Sequence, residues 1–184
     1  MTALPTAALP TADLPFLRGS RVTIRPGASS EAALLWGIVS EPSVVRWWGE
    51  PASIEEIAAD LRGDTEDRLL VVEVDGAVAG GIQYSEETEP MYRHAGMDCY
   101  LSLAAQDRGL GAEAVGMLAR WLVAVRQHHR LTIDPAADNV RAIRCYASVG
   151  FKPVGIMRAY ERGLDGTFHD ALLMDLLRSE LRAH

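Results

Sequence analysis

The sequence predicts an α/β (α+β) domain, a mixed sheet of about seven strands with helices on both faces, in the order β-α-α-β-β-β-α-β-α-β-β. Segments of period two alternate with stretches whose apolar residues recur every three or four positions. Asp75-Gly76 between two apolar runs is the strongest two-residue hairpin signal in the chain. A length of 184 residues suits one compact domain, placed over residues 19–184 behind a flexible extension over residues 1–18.

The extension repeats Ala3-Leu4-Pro5-Thr6-Ala7 as Ala8-Leu9-Pro10-Thr11-Ala12, and Asp13-Leu14-Pro15 echoes it. Leu-Pro steps favour extended backbone, so a mobile tail or a strand that borrows a neighbour is expected. It lacks the basic start of a signal peptide, and its prolines break the apolar segment. Arg21 to Arg25 alternates as a half-buried strand that Pro26-Gly27 ends. Ser29 and Ser30 are expected to cap a helix carrying Leu34, Leu35 and Ile38 on one face. Val44 to Gly49 reads as a bulky loop or short turn. Ser53, with Glu56 three residues on, is a capping box opening a short helix through Leu61.

Leu69 to Val74 and Ala77 to Tyr84 are the two strands of the hairpin, followed by an acidic loop, Glu86-Glu87-Thr88-Glu89-Pro90. A strand around Ala95 to Leu103 comes next. From Gly109 the apolar positions Ala112, Val115, Ala119 and Leu122 mark a helix. Leu131 to Ile133 is a short strand, Asn139 to Ser148 a helix ended by Gly150, and 151–157 and 171–177 are closing strands.

Composition narrows the function. Lys and Arg total 18 against 25 Asp and Glu, a formal net charge of −7. Duplex binders carry a clustered basic face, so a nucleic-acid partner is not expected; a cationic ligand suits the balance, as does ordinary solubility. No stretch reaches the roughly 20 apolar residues of a membrane span. The two cysteines, Cys99 and Cys145, lack metal-type spacing, so no metal and no disulfide framework is expected, and a reducing cytoplasm is the default location. The five histidines form no recognisable dyad, and His128-His129 reads as a surface pair after a helix.

Two runs carry chemistry. Gln106-Asp107-Arg108-Gly109-Leu110-Gly111 stands where a strand ends and a helix begins. Unpaired N–H groups at a helix start, with glycines that let a ligand approach the backbone, suit a pyrophosphate; a plain tight turn also needs glycine. Asn139-Val140-Arg141-Ala142-Ile143-Arg144-Cys145-Tyr146, then Gly150-Phe151, puts Asn139, Ile143 and Tyr146 near one helical face, for packing or for chemistry.

Together, in this order and separated by one strand, the runs resemble the acetyl-CoA signature of the Gcn5-related N-acetyltransferase (GNAT) superfamily: Q/R-x-x-G-x-G/A, then N-x-x-A-x-x-x-Y and a Gly-Phe pair. The resemblance covers Arg21 to Leu177 and implies the GNAT fold, a mixed, mostly antiparallel twisted sheet. It implies acetyl-CoA as co-substrate, held by Gln106, Asp107, Arg108, Gly109, Leu110, Gly111 and Ala112 at the pyrophosphate. The main chain of Leu101, Ser102 and Leu103 would pair with the pantetheine arm, which Asn139 would also touch. Tyr146 would protonate the departing thiolate, a physically apt task for a phenol. Neither cysteine is needed as a nucleophile, and both suit small buried apolar positions.

Val44 to Gly49 and the segment from Glu86 to Asp98 resemble the corresponding loops of aminoglycoside 6′-N-acetyltransferases. Carboxylates suit ammonium groups and an aromatic wall packs a sugar face. Trp47, Trp48, Glu86, Glu87, Glu89 and Asp98 are therefore the expected substrate-binding residues, although a core staple and a solvated loop would look alike in sequence. Asp98 would also assist amine deprotonation; an ordinary Asp, near pKa 3.9, is a poor base unless burial or neighbouring carboxylates raise it. Arg93 and His94 dilute the acidity of this segment. The expected partner is a cationic amine, and the protein a monomer or homodimer. The alternatives are an acyltransferase for a siderophore hydroxylysine or a protein N-terminus, and an acyl-CoA-binding or drug-sequestering module without catalysis.

Overall fold

The computed structural model describes residues 14–181; the Leu-Pro repeat of residues 3–12 lies outside them. Leu17–Arg18 (β1) pairs antiparallel with Val22–Pro26 (β2), so the last two residues of the expected extension belong to the sheet. A 3₁₀ turn at Ser29–Glu31 leads into α1 (Ala32–Val39). Glu31, not a serine, organises that start: its carboxylate accepts from the Ala28 N–H at 2.9 Å and pairs with Arg25. Leu35 and Ile38 are buried, whereas Leu34 is 52% exposed and leaves the expected face.

Val44 to Gly49, expected as a bulky loop or short turn, falls mostly within a helix, α2 (Pro42–Trp48). Pro42 occupies the first turn, where its missing N–H costs nothing, and Gly49 at φ 73° ends the segment. Ser53 and Glu56 make the predicted capping box for α3 (Ile54–Arg62), with Ser53 N–H donating to Glu56 at 2.7 Å. Arg68–Val74 (β3) and Ala77–Glu87 (β4) form the hairpin, and Asp75 and Gly76 both take positive φ as its tight turn requires. Glu86 and Glu87 thus lie in a strand rather than a loop. His94–Leu101 (β5) stops short of Leu103, and residues 103–105 turn in 3₁₀ geometry. Then follow α4 (Leu110–Ala124), β6 (Arg130–Ile133), α5 (Val140–Val149), β7 (Lys152–Arg162) and β8 (Phe168–Leu177).

Among the described residues eight strands run β1-β2-β3-β4-β5-β6-β8-β7, one more than expected because of β1. Every neighbouring pair is antiparallel except β5 and β6. Both faces of β3 are buried. Leu70, Val72 and Val74 of β3 join the core beneath α4, while Leu69 and Val71 face α1 and α3. A strand covered on both sides reads as an unbroken apolar run, as Leu69 to Val72 does. Among the described residues no helix is long and apolar enough to cross a membrane.

Candidate functional site

β5 and β6 pair at only two positions, Ala95 with Leu131 and Gly96 with Thr132. Beyond Gly96, β5 keeps its β4 ladder through Leu101 but loses β6. A cleft of about 580 Å³ occupies the gap. It brings Trp47 and Trp48 of α2, Asp98 and Leu101 of β5, the start of α4, and Asn139 and Tyr146 of α5 into one cavity.

The start of α4 has the expected character. Asp107 and Gly109 take positive φ, at 58° and 76°, and turn the chain sharply into the helix. Gln106, Asp107, Gly109, Gly111 and Ala112 line the cleft. Arg108 and Leu110 do not: Leu110 is fully buried in the core, and the Arg108 carbonyl accepts from Arg21 Nη1 at 2.8 Å. The early N–H groups of α4 have no intrahelical acceptor by helix geometry. A Cβ at Gly111 would stand 3.5 Å from Cys145 Sγ and 3.7 Å from Leu101 Cδ1, ordinary contact distances, so a methyl fits there and a larger side chain would crowd the gap between β5 and α5.

At the end of β5, the Leu101 carbonyl accepts from Gln106 Nε2 at 2.8 Å. Ser102 N–H donates to the Ala79 carbonyl at 2.8 Å, and Leu103 N–H to Glu41 Oε2 at 2.6 Å. Of these three residues, Leu101 alone lines the cleft. Asn139 caps α5, accepting from Ala142 N–H at 3.1 Å. Gly150, at φ 123°, ends that helix and turns Phe151 into the core, where its ring lies 6.4 Å from that of Tyr146. The Gly-Phe pair therefore seats the tyrosine.

Burial, reinforced by Cys99 and Asp98, pushes the Tyr146 phenol well above its ordinary range, so it is a neutral proton donor. Burial likewise raises Cys99, and brings Cys145 up to about 11; both are thiols rather than nucleophilic thiolates. Burial and the charges of Asp134, Asp67 and Glu161 push Asp98 up to about 8, although a bond with Gln83 opposes them. Such a carboxyl can take up and release a proton near neutrality.

Trp48 packs edge-on against Tyr100, with ring centroids 4.9 Å apart, and Trp47 carries the Arg46 guanidinium 4.6 Å from its ring centre. Each does two jobs, since both also line the cleft. The acidic segment is a different matter. Glu86 pairs with Arg126 at 2.7 Å and with the fully buried His128 at 2.6 Å. Burial would raise its carboxyl, but those two partners overcome this and hold it at about 2. His128 is therefore an interior residue and not half of a surface pair. Glu86, Glu87 and Glu89 do not line the cleft; Glu87 accepts from the Glu89 N–H at 2.8 Å. Besides Asp107 in the turn into α4, the carboxylates that join Asp98 in the cavity are Asp134, directly after β6, and Glu161 of β7. Sequence reasoning missed both. The position of Asp134 as the first polar residue past a strand end was the available signal; Glu161 offered none.

The sequence model of the acetyltransferase (GNAT) family matches residues 36–151. An aminoglycoside N(6′)-acetyltransferase type 1 of Klebsiella pneumoniae is 28% identical over 158 residues, 73% of this chain and 75% of that protein. A spermidine N(1)-acetyltransferase of Escherichia coli K12 is 25% identical over 167 residues, 88% and 89% of the two. A solved structure of Mycobacterium smegmatis RimJ with CoA-disulfide superposes with a TM-score of 0.78 at 22% identity, covering 88% of this chain and 84% of that one. The aminoglycoside acetyltransferase AAC(6′)-Ib with coenzyme A gives 0.71 at 23%, covering 86% and 96%. At these identities the structural likeness is one of fold.

Proposed function

We propose, from the premise that this chain belongs to the acetyltransferase (GNAT) family, that it moves the acetyl group of acetyl-CoA onto a primary amine of a polycationic small molecule, with the 6′-amine of an aminoglycoside as first choice. One observation carries the reading: a single cleft holds the glycine-bearing start of α4, the open edge of β5, a carboxyl poised near neutrality and a neutral phenol.

These residues fit the co-substrate. The N–H groups from Gly109 to Ala112 suit a pyrophosphate, and the edge of β5 that β6 leaves uncovered beyond Gly96 suits an amide-bearing arm laid alongside it as an added strand. Acetyl-CoA supplies the activated acetyl group. Asp98 orients the acceptor ammonium and takes its proton, directly or through water, so that the nitrogen lone pair is free to attack. Tyr146 gives its proton to the departing sulfur as the C–N bond forms and the C–S bond breaks. The raised cysteines argue for direct transfer without an acyl-cysteine.

The acceptor class rests on Asp98 and Asp134 near an aromatic wall, and on the aminoglycoside and spermidine enzymes among the relatives. The experiment is CoA-thiol release with kanamycin, spermidine, a hydroxylysine siderophore precursor and a short peptide. Kanamycin should turn over fastest. A neutral acceptor that outpaces both polycations would sink this reading and bring the siderophore or peptide one forward.

A further inference from the structure

The start of α4 is held from outside the cleft, by the turn between β1 and β2. Gly19 N–H donates to the Val22 carbonyl at 2.8 Å and closes that turn around the carboxylate of Glu113, in the first turn of α4. Glu113 Oε1 accepts from the main-chain N–H of Arg21 at 2.8 Å, from Ser20 Oγ at 3.0 Å and from the Val22 N–H at 3.3 Å. A Cβ at Gly19 would stand 2.5 Å from the same oxygen, so a side chain there would push Glu113 aside. Burial would raise the Glu113 carboxyl, but its donors overcome this and keep it below its usual range, as a carboxylate.

That carboxylate aligns the Arg21 side chain. Arg21 Nε donates to Glu113 Oε2 at 3.3 Å, and Nη1 reaches on to the Arg108 carbonyl at 2.8 Å. Arg108 stands between Asp107 and Gly109, the two residues of the turn with positive φ. A peptide group is planar and trans, so its carbonyl and the next N–H point in opposite directions. Bonding the Arg108 carbonyl to Arg21 therefore aims the Gly109 N–H away from Arg21. Gly109 lines the cleft and Arg21 does not, and among the described residues that N–H meets no acceptor. Glycine by itself resists rotation of this peptide only weakly. The guanidinium supplies the restraint.

We infer that Arg21 is a positioning residue for the coenzyme: it fixes the Arg108–Gly109 peptide so that the Gly109 N–H is already presented to the pyrophosphate when the ligand arrives. A donor aimed in advance needs less ordering on binding. The inference deepens the acetyl-CoA reading and rests on it.

Titration calorimetry with CoA tests it. Arg21→Met keeps the side-chain stem and removes the donors, and CoA should then bind about tenfold more weakly, the scale of one lost hydrogen bond. With kanamycin as acceptor, the KM for acetyl-CoA should rise by the same factor, while kcat and the KM for the amine stay nearly unchanged. Glu113 keeps its three other donors, and an exposed ion pair adds little to stability, so the melting temperature should barely move. Arg21→Lys, with a donor on a stem of similar reach, should bind CoA within about threefold of the parent protein. Unchanged CoA affinity in Arg21→Met overturns the inference. So does a rise in both KM values with a fall in kcat, the pattern of a general structural loss. A loss in Arg21→Lys equal to that in Arg21→Met overturns the hydrogen-bonding role. Arg21→Gln, too short to reach the carbonyl, should match Arg21→Met and decides alone should that variant fail to fold. A parent protein that binds no CoA overturns the coenzyme reading itself.

Discussion

Tyr146 and Asp98 have their proton affinities raised by the same burial, with opposite consequences. For the phenol, burial makes ionisation harder and leaves a donor. In the proposed reaction Tyr146→Phe should preserve the fold and the affinity for CoA while lowering kcat by roughly 10- to 10,000-fold; steady-state kinetics beside calorimetry would check both halves. For Asp98, burial and three nearby carboxylates make a base out of an ordinarily feeble one. A proton acceptor must be ionised, so kcat/KM should rise with pH through about 8, and Asp98→Asn should abolish that limb.

The same shift acts on stability. An Asp in the unfolded chain loses its proton near pH 3.9, whereas Asp98 in the fold keeps it to about 8. Between those values the unfolded state is the one that ionises, so this group destabilises the fold progressively as pH climbs and does so fully above pH 8. Asp98→Asn has no proton to lose. It should melt higher than the parent protein at pH 8.5 by about 2–4 °C for each kcal/mol recovered, with the gain vanishing toward pH 4. Thermal melts at both pH values measure it.

At the scale of elements, the two motif helices were legible because local geometry determines them. Gly109 turns the chain into α4, Asn139 caps α5, and Gly150 ends it, each through bonds within a few residues. Gly111 has a longer reach, since it faces Leu101 and Cys145 across the cleft. Gly111→Val keeps a helix-compatible backbone but narrows the gap between β5 and α5. Isothermal titration should find CoA affinity reduced by at least about tenfold, on the order of 1.4 kcal/mol, with little change in the circular dichroism spectrum. The helical character of α2 was harder to see. Its seven residues are too few to display a period, and Pro42 at its start reads equally well as a loop signal.

Across the whole molecule, a net charge of −7 is spread over many carboxylates, yet few of them face the cleft. The KM for a polycation should rise several-fold with added salt, because ions screen charges over about 8–10 Å near physiological strength. Asp134→Asn should raise that KM, while Glu87→Gln and Glu89→Gln, outside the cavity, should leave it unchanged. A salt-independent KM would break the link between acidity and acceptor binding.

The sequence alone determined the hairpin at Asp75-Gly76, the capping box at Ser53, the α4 and α5 motifs and hence the family, because each depends on residues that are neighbours along the chain. It placed Asp98 and Tyr146 as candidates for the same reason. Only the tertiary structure decided which other charges accompany them. Arg126 and His128, about 40 positions away, withdraw Glu86 into a partly buried ion pair, and the strand order β5-β6-β8-β7 carries Asp134 and Glu161 in to replace it. Coulomb interactions depend on separation in space, and for residues so far apart in the chain that separation is set by strand order and side-chain packing.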